Sequence, residues 1–301
     1  MEFLQPAEWQ EALRLKAERP EAKPIMGGTD VMVELNTGRL RPRAMLDLSG
    51  LPDLQRWDFI EPSPVPDSTD GGCGAVIRVG AAMTYQRVID ELAAHAPALA
   101  QAARAVGSPQ IRNRGTLGGS LGTASPSGDS HAPLLALGAV IEVASAARGT
   151  RLIDAGDFYA EPAGDPVKPD ELIRAIRLPA ATGPQYFAKV GRRNAMAVAV
   201  CSFAVALWPA RRSVGTGVGA AGPTPVRASD AEQYLAAELD WQAPLHPRVA
   251  RTFGELAAAS IHLSDDARAT ARYRRHALAV ISRRALTWAW DDHRRVAVSC
   301  A

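Results

Sequence analysis

The 301 residues carry 34 Lys+Arg against 32 Asp+Glu, a formal net charge of +2, with 47% hydrophobic and 22% charged residues. That balance excludes wholesale disorder and a disulfide-dense mini-protein, and the length exceeds what one hydrophobic core commonly supports, so about two domains are expected. Basic and acidic residues are interspersed, which implies no nucleic-acid partner, and three cysteines (Cys73, Cys201, Cys300) without a C-x-x-C pair leave no ligand set for zinc or an iron–sulfur cluster within the chain.

Residues 1–6 lack the basic stretch and apolar core of a secretory signal, and the longest apolar run, 195–209, is too short to cross a bilayer. A cytoplasmic protein without a membrane span is expected. The spacing of Trp9, Leu13 and Ala17 predicts an amphipathic helix over 6–19, stopped by Pro20. A short strand from Lys23 meets a diglycine turn, and the chain resumes as an apolar helical segment. After a strand at 44–48, residues 61–74 hold three prolines and three glycines and read as a loop. Residues 75–81 alternate as a strand, and Thr84 is placed to cap a helix over 85–95.

From 107 to 129 small residues predict one long loop, ahead of an apolar helix around Leu134–Leu137 and a strand. A second irregular patch at 160–170 precedes a strand at 172–178 and a hinge at 179–184. Strands at 186–190, 198–208 and 213–220, then helices at 230–238, 247–259 and 267–289, complete an α+β C-terminal part.

Two diglycine loops stand out, Met26-Gly27-Gly28-Thr29-Asp30 and Thr116-Leu117-Gly118-Gly119-Ser120. Each reads either as a tight turn or as a nest whose N–H groups converge on an anion such as a diphosphate. Gly217-Val-Gly219-Ala-Ala-Gly222 fits the dinucleotide spacing, but Pro223 and Pro225 stand where a helix would have to open, so it reads as a strand end. His95, His131, His246, His262, His276 and His293 show no ligand spacing and read as surface or packing residues, and Cys201 as core. Arginines 268, 272, 274, 275, 283 and 284 fall on one helix, read as a solvated face paired with carboxylates or as a surface for a partner subunit.

The order Met26-Gly-Gly-Thr-Asp30, Gln110-Ile-Arg-Asn-Arg-Gly-Thr-Leu-Gly-Gly-Ser120, Ala124-Ser-Pro-Ser-Gly-Asp129 with Leu134-Leu-Ala-Leu137, Tyr186-Phe-Ala-Lys-Val-Gly-Arg-Arg193, Gly222-Pro-Thr-Pro-Val-Arg-Ala228, and Tyr273-Arg-Arg275 with Arg283-Arg-Ala-Leu286 resembles the flavin subunit of the molybdenum hydroxylases. That family includes the medium subunits of carbon monoxide and nicotinate-type dehydrogenases and the flavin domain of xanthine dehydrogenase. The resemblance runs nearly end to end. It implies an α+β fold: a two-subdomain FAD-binding module of the vanillyl-alcohol-oxidase-like (PCMH) type over 1–179, with subdomains of about 1–50 and 51–179. A smaller α+β domain with a three-stranded sheet follows over 184–290, then a tail over 291–301.

The resemblance further implies non-covalent FAD held by Lys23, Pro24, Ile25, Met26, Gly27, Gly28, Thr29 and Asp30 and by Thr116, Leu117, Gly118, Gly119 and Ser120. Asp129 would meet the adenosine or ribose end, Ile173 and Lys189 would lie beside the isoalloxazine, and Val106 would add a contact. Asp129 also reads as a helix cap and Lys189 as an exposed strand lysine. No catalytic residue and no metal ligand is assigned. Electrons would arrive from a small iron–sulfur subunit and leave to NAD, oxygen or a quinone, while hydroxylation takes place in a large molybdopterin subunit. Met26 and Ser120 stand where alanine and asparagine are usual, and residues 158–166 lack the aromatic-Gly-Tyr segment of many relatives. That loop keeps a stand-alone flavoenzyme as an alternative; a flavin-less structural subunit is a third reading, opposed by the two intact loops.

Overall fold

The computed structural model describes residues 1–61, 74–160 and 166–299. The predicted loop at 61–74 lies almost wholly outside these, as does the middle of the 158–166 segment. The chain packs as two compact units that interleave along the sequence: Met1–Val88, Pro109–Ala124 and Ala139–Ala180 form one, and Ile89–Ser108, Ser125–Gly138 and Ala181–Ala301 the other.

The first unit opens with β1 (Glu2–Leu4), which the sequence did not announce, because three residues are too few to show a period. The predicted amphipathic helix is α1 (Trp9–Glu18), burying Trp9, Ala12, Leu13 and the stem of Lys16. The Lys16 ammonium donates to the carbonyls of Pro20 and Ala22 at 2.9 and 2.7 Å, so a cation closes the helix C-terminus. Next come β2 (Lys23–Ile25), α2 (Val31–Asn36) and β3 (Ala44–Asp47), and β3 lies between β1 and β2 in a parallel three-stranded sheet. Trp9, Leu13, Leu46, Leu48, Leu51 and Leu54 form the core beneath it.

Downstream, β4 (Trp57–Ile60) and β5 (Val76–Gly80) lead to α3 (Tyr85–Glu91), where the Arg87 N–H donates to Thr84 Oγ1 at 3.4 Å. The helix predicted over 85–95 stops at Glu91. A separate helix, α4 (Pro97–Ala105), follows in the second unit, opened by Pro97 at its first position. The long loop predicted over 107–129 is also corrected: it contains α5 (Pro109–Arg112) and α6 (Leu117–Thr123), before α7 (His131–Ala136). Back in the first unit, β6 (Val140–Ser145), β7 (Gly149–Asp154), α8 (Ala155–Tyr159) and β8 (Leu172–Pro179) complete an antiparallel sheet in the order β4-β5-β8-β6-β7. Glu142, in the middle of this sheet and buried, accepts from Arg78 Nη2 at 2.7 Å and Arg177 Nε at 2.5 Å. A carboxylate can sit there because both cations reach it, Arg177 from the adjacent β8 and Arg78 from β5 beyond it.

In the second unit, β9 (Gln185–Gly191), β10 (Ala199–Trp208) and β11 (Ser213–Gly219) form an antiparallel sheet with β10 central and buried throughout. Helices α9 (Ser229–Glu238), α10 (Pro247–Ala259) and α11 (Ala271–Ser299) enclose the core around Phe203, Phe253 and Trp290. The helix predicted over 267–289 starts four residues later, and it continues through residues read as a tail. Gly217, the first glycine of the dinucleotide-like spacing, and Gly215 just before it have a packing reason: a Cβ on Gly217 would stand 2.0 Å from the Ala132 carbonyl oxygen, and one on Gly215 2.1 Å from that of Ala136. They let α7 lie directly on β11. Cys201 is core as expected, its thiol pushed up to about 12 by burial.

Candidate functional site: a welded pair of glycine loops and a buried ion pair

The two diglycine segments, about ninety residues apart in sequence, meet in the first unit. Strand β2 runs into Met26-Gly27-Gly28, and Gly28 takes φ +74°, a conformation that L side chains rarely adopt. Gly27 presses on the second segment so closely that a Cβ would fall 2.0 Å from the Arg114 carbonyl oxygen. Two side-chain contacts fix the same seam. The Thr116 hydroxyl donates to Met26 Sδ at 3.5 Å, and the Thr123 hydroxyl to Asp30 Oδ2 at 3.3 Å. Met26, the departure from the usual alanine, is thus the acceptor of a cross-loop contact that alanine could not supply.

The two loops differ in what they do with their amides. In the second, Leu117 N–H donates to Met83 O, Gly118 N–H to Ala81 O at 2.8 Å, Gly119 N–H to Thr116 Oγ1 at 3.0 Å and Ser120 N–H to Thr116 O. All four are consumed inside the protein. This second diglycine is the first turn of α6, capped by Thr116, and not a free nest. Gly118 is required by approach, since a Cβ would sit 2.5 Å from Ala81 Cβ and 2.7 Å from Ala81 O. Positive φ is not the reason for either Gly118 or Gly119. In the first loop, by contrast, the N–H groups of Gly27, Gly28, Thr29 and Asp30 donate to no group among the described residues. Four successive amides without acceptors, arched by a left-handed glycine, make a cradle suited to a diphosphate.

Lys23, Pro24 and Ile25 lie half-buried on β2, directly ahead of this cradle. Ile173, on β8 and 6% exposed, lies behind α6, where a Cβ on Gly122 would touch its Cδ1 at 4.0 Å. Phe158 and Tyr159 pack edge to face in the core, so the aromatics of the altered 158–166 segment are not presented at the surface.

The remaining predicted residues lie in the second unit. Helix α4 runs along the edge strand β9 on three rungs: Ala98 N–H donates to Gln185 Oε1 at 3.5 Å, Phe187 N–H to Gln101 Oε1 at 2.8 Å, and Lys189 Nζ to Ala105 O at 2.8 Å. Rungs three and four residues apart on the helix match rungs two apart on the strand, the same-face spacing of each. The Lys189 ammonium also donates to Asp129 Oδ2 at 2.6 Å and to Ala197 O at 3.1 Å, which uses all three of its hydrogens. It is therefore no exposed strand lysine, its side chain being 16% exposed. Asp129 does not cap α7, whose N-cap is Ser130. Roles assigned to different parts of one cofactor fall here on a single ion pair.

Burial raises the Asp129 carboxyl to about 6, against the pull of Lys189, and its buried Oδ1 has no partner. Nearby, His131 is fully enclosed and burial lowers it to about 4, so it packs as a neutral ring. Val106 follows α4 as its C-cap, its N–H on the Ala103 carbonyl. Sequence reasoning missed Gln101, Gln185, Thr123 and the Arg114 carbonyl, for which no local pattern exists. No group of three or more His, Cys, Asp or Glu among the described residues is placed to hold a metal.

The family model described as the FAD-binding domain in molybdopterin dehydrogenase matches residues 1–181, which takes in both glycine loops. The chain belongs to this FAD-binding family. A second model, the CO dehydrogenase flavoprotein C-terminal domain, matches residues 185–289 of this flavin chain. It is 29% identical over 286 residues to the xanthine dehydrogenase FAD-binding subunit of Escherichia coli O157:H7, covering 92% of this chain and 91% of that one. It is 28% identical over 292 residues to the nicotine 6-hydroxylase medium subunit of Paenarthrobacter nicotinovorans, covering 94% and 95%. Among solved structures, a chain of the cyanide-inactivated Cu,Mo-CO dehydrogenase superposes with a TM-score of 0.83 at 26% identity, over 97% of this chain and 98% of that one. FAD is the cofactor of this oxidoreductase family. No helix among the described residues is long and apolar enough to cross a membrane.

Proposed function

We propose that this chain is the flavin-carrying medium subunit of a molybdenum hydroxylase complex. It receives electrons singly from a small iron–sulfur subunit and passes them on to NAD, oxygen or a quinone, while a large molybdopterin subunit carries out the hydroxylation. FAD, when bound, supplies the link between one-electron and two-electron chemistry. The observation that carries this reading is the welded loop pair, with one loop's amides open.

In this reading the N–H groups of Gly27, Gly28, Thr29 and Asp30 hold the diphosphate. Lys23, Pro24 and Ile25 set the strand from which that loop springs, and Met26 ties it to Thr116. Leu117, Gly118, Gly119 and Ser120 serve as the floor, because their own amides are spent and their small side chains permit the approach. Ile173 supports that floor from β8. For Val106, Asp129 and Lys189 as cofactor contacts the support is the family resemblance alone.

The test is purification under native conditions with whatever co-elutes, followed by anaerobic reduction of the flavin. The expected outcome is FAD, released by heat, with cysteine-rich and molybdopterin-binding chains alongside. The flavin of the isolated chain should bleach with NADH or an artificial donor, but not with aldehydes or N-heterocycles. Bleaching of the isolated chain by one organic metabolite would contradict the subunit reading, and FMN in place of FAD would contradict the diphosphate cradle.

A further inference from the structure

Helix α11 carries five arginines and no carboxylate between residues 271 and 290. Only one of the five is paired within the unit: buried Arg274 meets Asp266 at 2.5 Å and donates to the carbonyls of Val200 and Ala220. The carboxylate partners expected for the rest do not materialise. Arg272, Arg275, Arg283 and Arg284 are exposed and make no ion pair or side-chain hydrogen bond among the described residues. Arg272, Arg275 and Arg283 fall within about 80° of one another around the axis, while Arg284 lies about 100° round from Arg283, in line with Tyr273. Arg272 and Arg283 are eleven residues apart, three turns, with Arg275 one turn along from Arg272.

An apolar stripe adjoins them on the same helix. Tyr273, 49% exposed, is followed at the same spacing by Arg284 and one turn later by Trp288, 44% exposed. The opposite side of α11 is committed to its own unit, with Leu278, Ala285, Leu286 and Ala289 in the core and α10 pressed close through Gly254, where a Cβ would stand 2.4 Å from the Ala279 carbonyl oxygen. The outward face is therefore held rigidly while its charge is left uncompensated. Unpaired like charges within two turns repel one another unless an opposing surface answers them. Arginine with exposed Tyr and Trp is also the composition that concentrates binding energy at protein–protein contacts.

We propose that the outward face of α11, built on Arg272, Tyr273, Arg283, Arg284 and Trp288, docks an acidic protein surface on a partner subunit. The inference rests on the proposed assembly. Its chemistry is the pairing of guanidinium forks with carboxylates around two aromatic anchors.

The experiment compares binding of the purified flavin-loaded chain to the remainder of its complex by biolayer interferometry, at low and high salt. Wild type should weaken about ten-fold as salt rises, because the pairs at the contact rim are screened. The Arg283→Glu/Arg284→Glu variant should bind at least ten-fold more weakly at low salt, with flavin content and melting temperature unchanged, while Arg39→Glu/Arg41→Glu binds as wild type does. Should charge reversal disturb folding, the threefold Gln variant at 272, 283 and 284 is expected to show the same loss with flavin retained; unfolding of that variant too would make the face structural and overturn the proposal. Wild type and Arg283→Glu/Arg284→Glu binding equally well would overturn it while leaving the assembly reading intact. Wild type retaining no partner would remove both. Binding of a DNA duplex or of phosphatidylserine vesicles through these arginines, with partner binding untouched, would assign the face to a different occupant and overturn the proposal.

Discussion

Gly27-Gly28 and Gly118-Gly119 are the same dipeptide in the same unit, and they are used in opposite ways. At the first, a left-handed glycine arches the backbone, and four amides in a row are left without acceptors. At the second, the glycines open a helix, and every amide from Leu117 to Ser120 is already engaged. What they share is close approach: a Cβ on Gly27 would overlap Arg114, and one on Gly118 would overlap Ala81. A glycine pair therefore marks a place where backbone must come near something, and the fate of the N–H groups tells whether that something is a ligand or the protein itself. Gly217 in the other unit extends the lesson, since it opens a cofactor-like spacing and serves the packing of α7, as its neighbour Gly215 does.

The largest effect expected is on Gly27→Val. A Cβ that would start 2.0 Å from a backbone oxygen forces the two loops apart, costing about 3 kcal/mol or more and abolishing FAD binding. Gly217→Val meets the Ala132 oxygen at the same 2.0 Å and should destabilise the second unit by a similar amount. Thermal melts with flavin content decide it, and a wild-type melting curve for either variant would break the packing account of the glycines.

Next in size is the ion pair. Lys189→Met strands a buried carboxylate, and loss of one partner of such a pair costs about 3–5 kcal/mol. Because the Asp129 carboxyl already sits at about 6, it can shed its charge by taking up a proton in mild acid. The loss measured by denaturant unfolding should therefore be large at pH 8 and clearly smaller at pH 5. An equal loss at both values would show that Asp129 is not the group left exposed to the change.

Thr116→Val keeps the shape but removes both the cap on Gly119 N–H and the contact to Met26. About 1 kcal/mol is expected, or a fall of about 2–4 °C in melting temperature. A neutral result would leave the close approach of Gly27 and the Thr123–Asp30 contact to hold the loops together.

The smallest effects belong to acid titration of the wild type. Glu171, bonded to Arg151 and Arg148, and Asp266, bonded to Arg274, are both lowered to about 2. A carboxyl lowered by folding contributes stability above its unfolded value, and that contribution is lost as pH falls toward the folded one. Melting temperature should thus decline from about pH 4.5 downward. Asp129 works with the opposite sign: raised to about 6, its contribution is present below its usual value and lost as pH rises from about 4 to 6. A profile that keeps rising steeply through pH 6 would contradict the buried state of Asp129.

Much of the second unit was legible, because β9, β10 and β11 are long, apolar and bounded by turn residues, and α10 matches its predicted 247–259. The first unit was legible only in part. Leu-Gly-Gly-Ser-Leu-Gly-Thr is a poor helix by propensity, and α6 forms because Thr116 caps it and Ala81 and Met83 accept its first amides. Strand β1 depends on β3, some forty residues away, to exist at all. Both glycine loops could be picked out by composition. Their meeting could not, nor could the pairing of Asp129 with Lys189 across sixty positions, since no local pattern encodes contact between distant segments.

In the proposed reading the first loop, and not the second, offers its amides to the cofactor. Hydrogen–deuterium exchange at Gly27–Asp30 and Leu117–Ser120, measured on the apo chain and after adding FAD, tests it directly. Before FAD, the amides of Gly27, Gly28, Thr29 and Asp30 should exchange fast and those of Leu117–Ser120 slowly. FAD should protect the first set strongly and leave the second nearly unchanged. Slow exchange at Gly27–Asp30 without FAD, or new protection appearing only at Leu117–Ser120, would contradict the account.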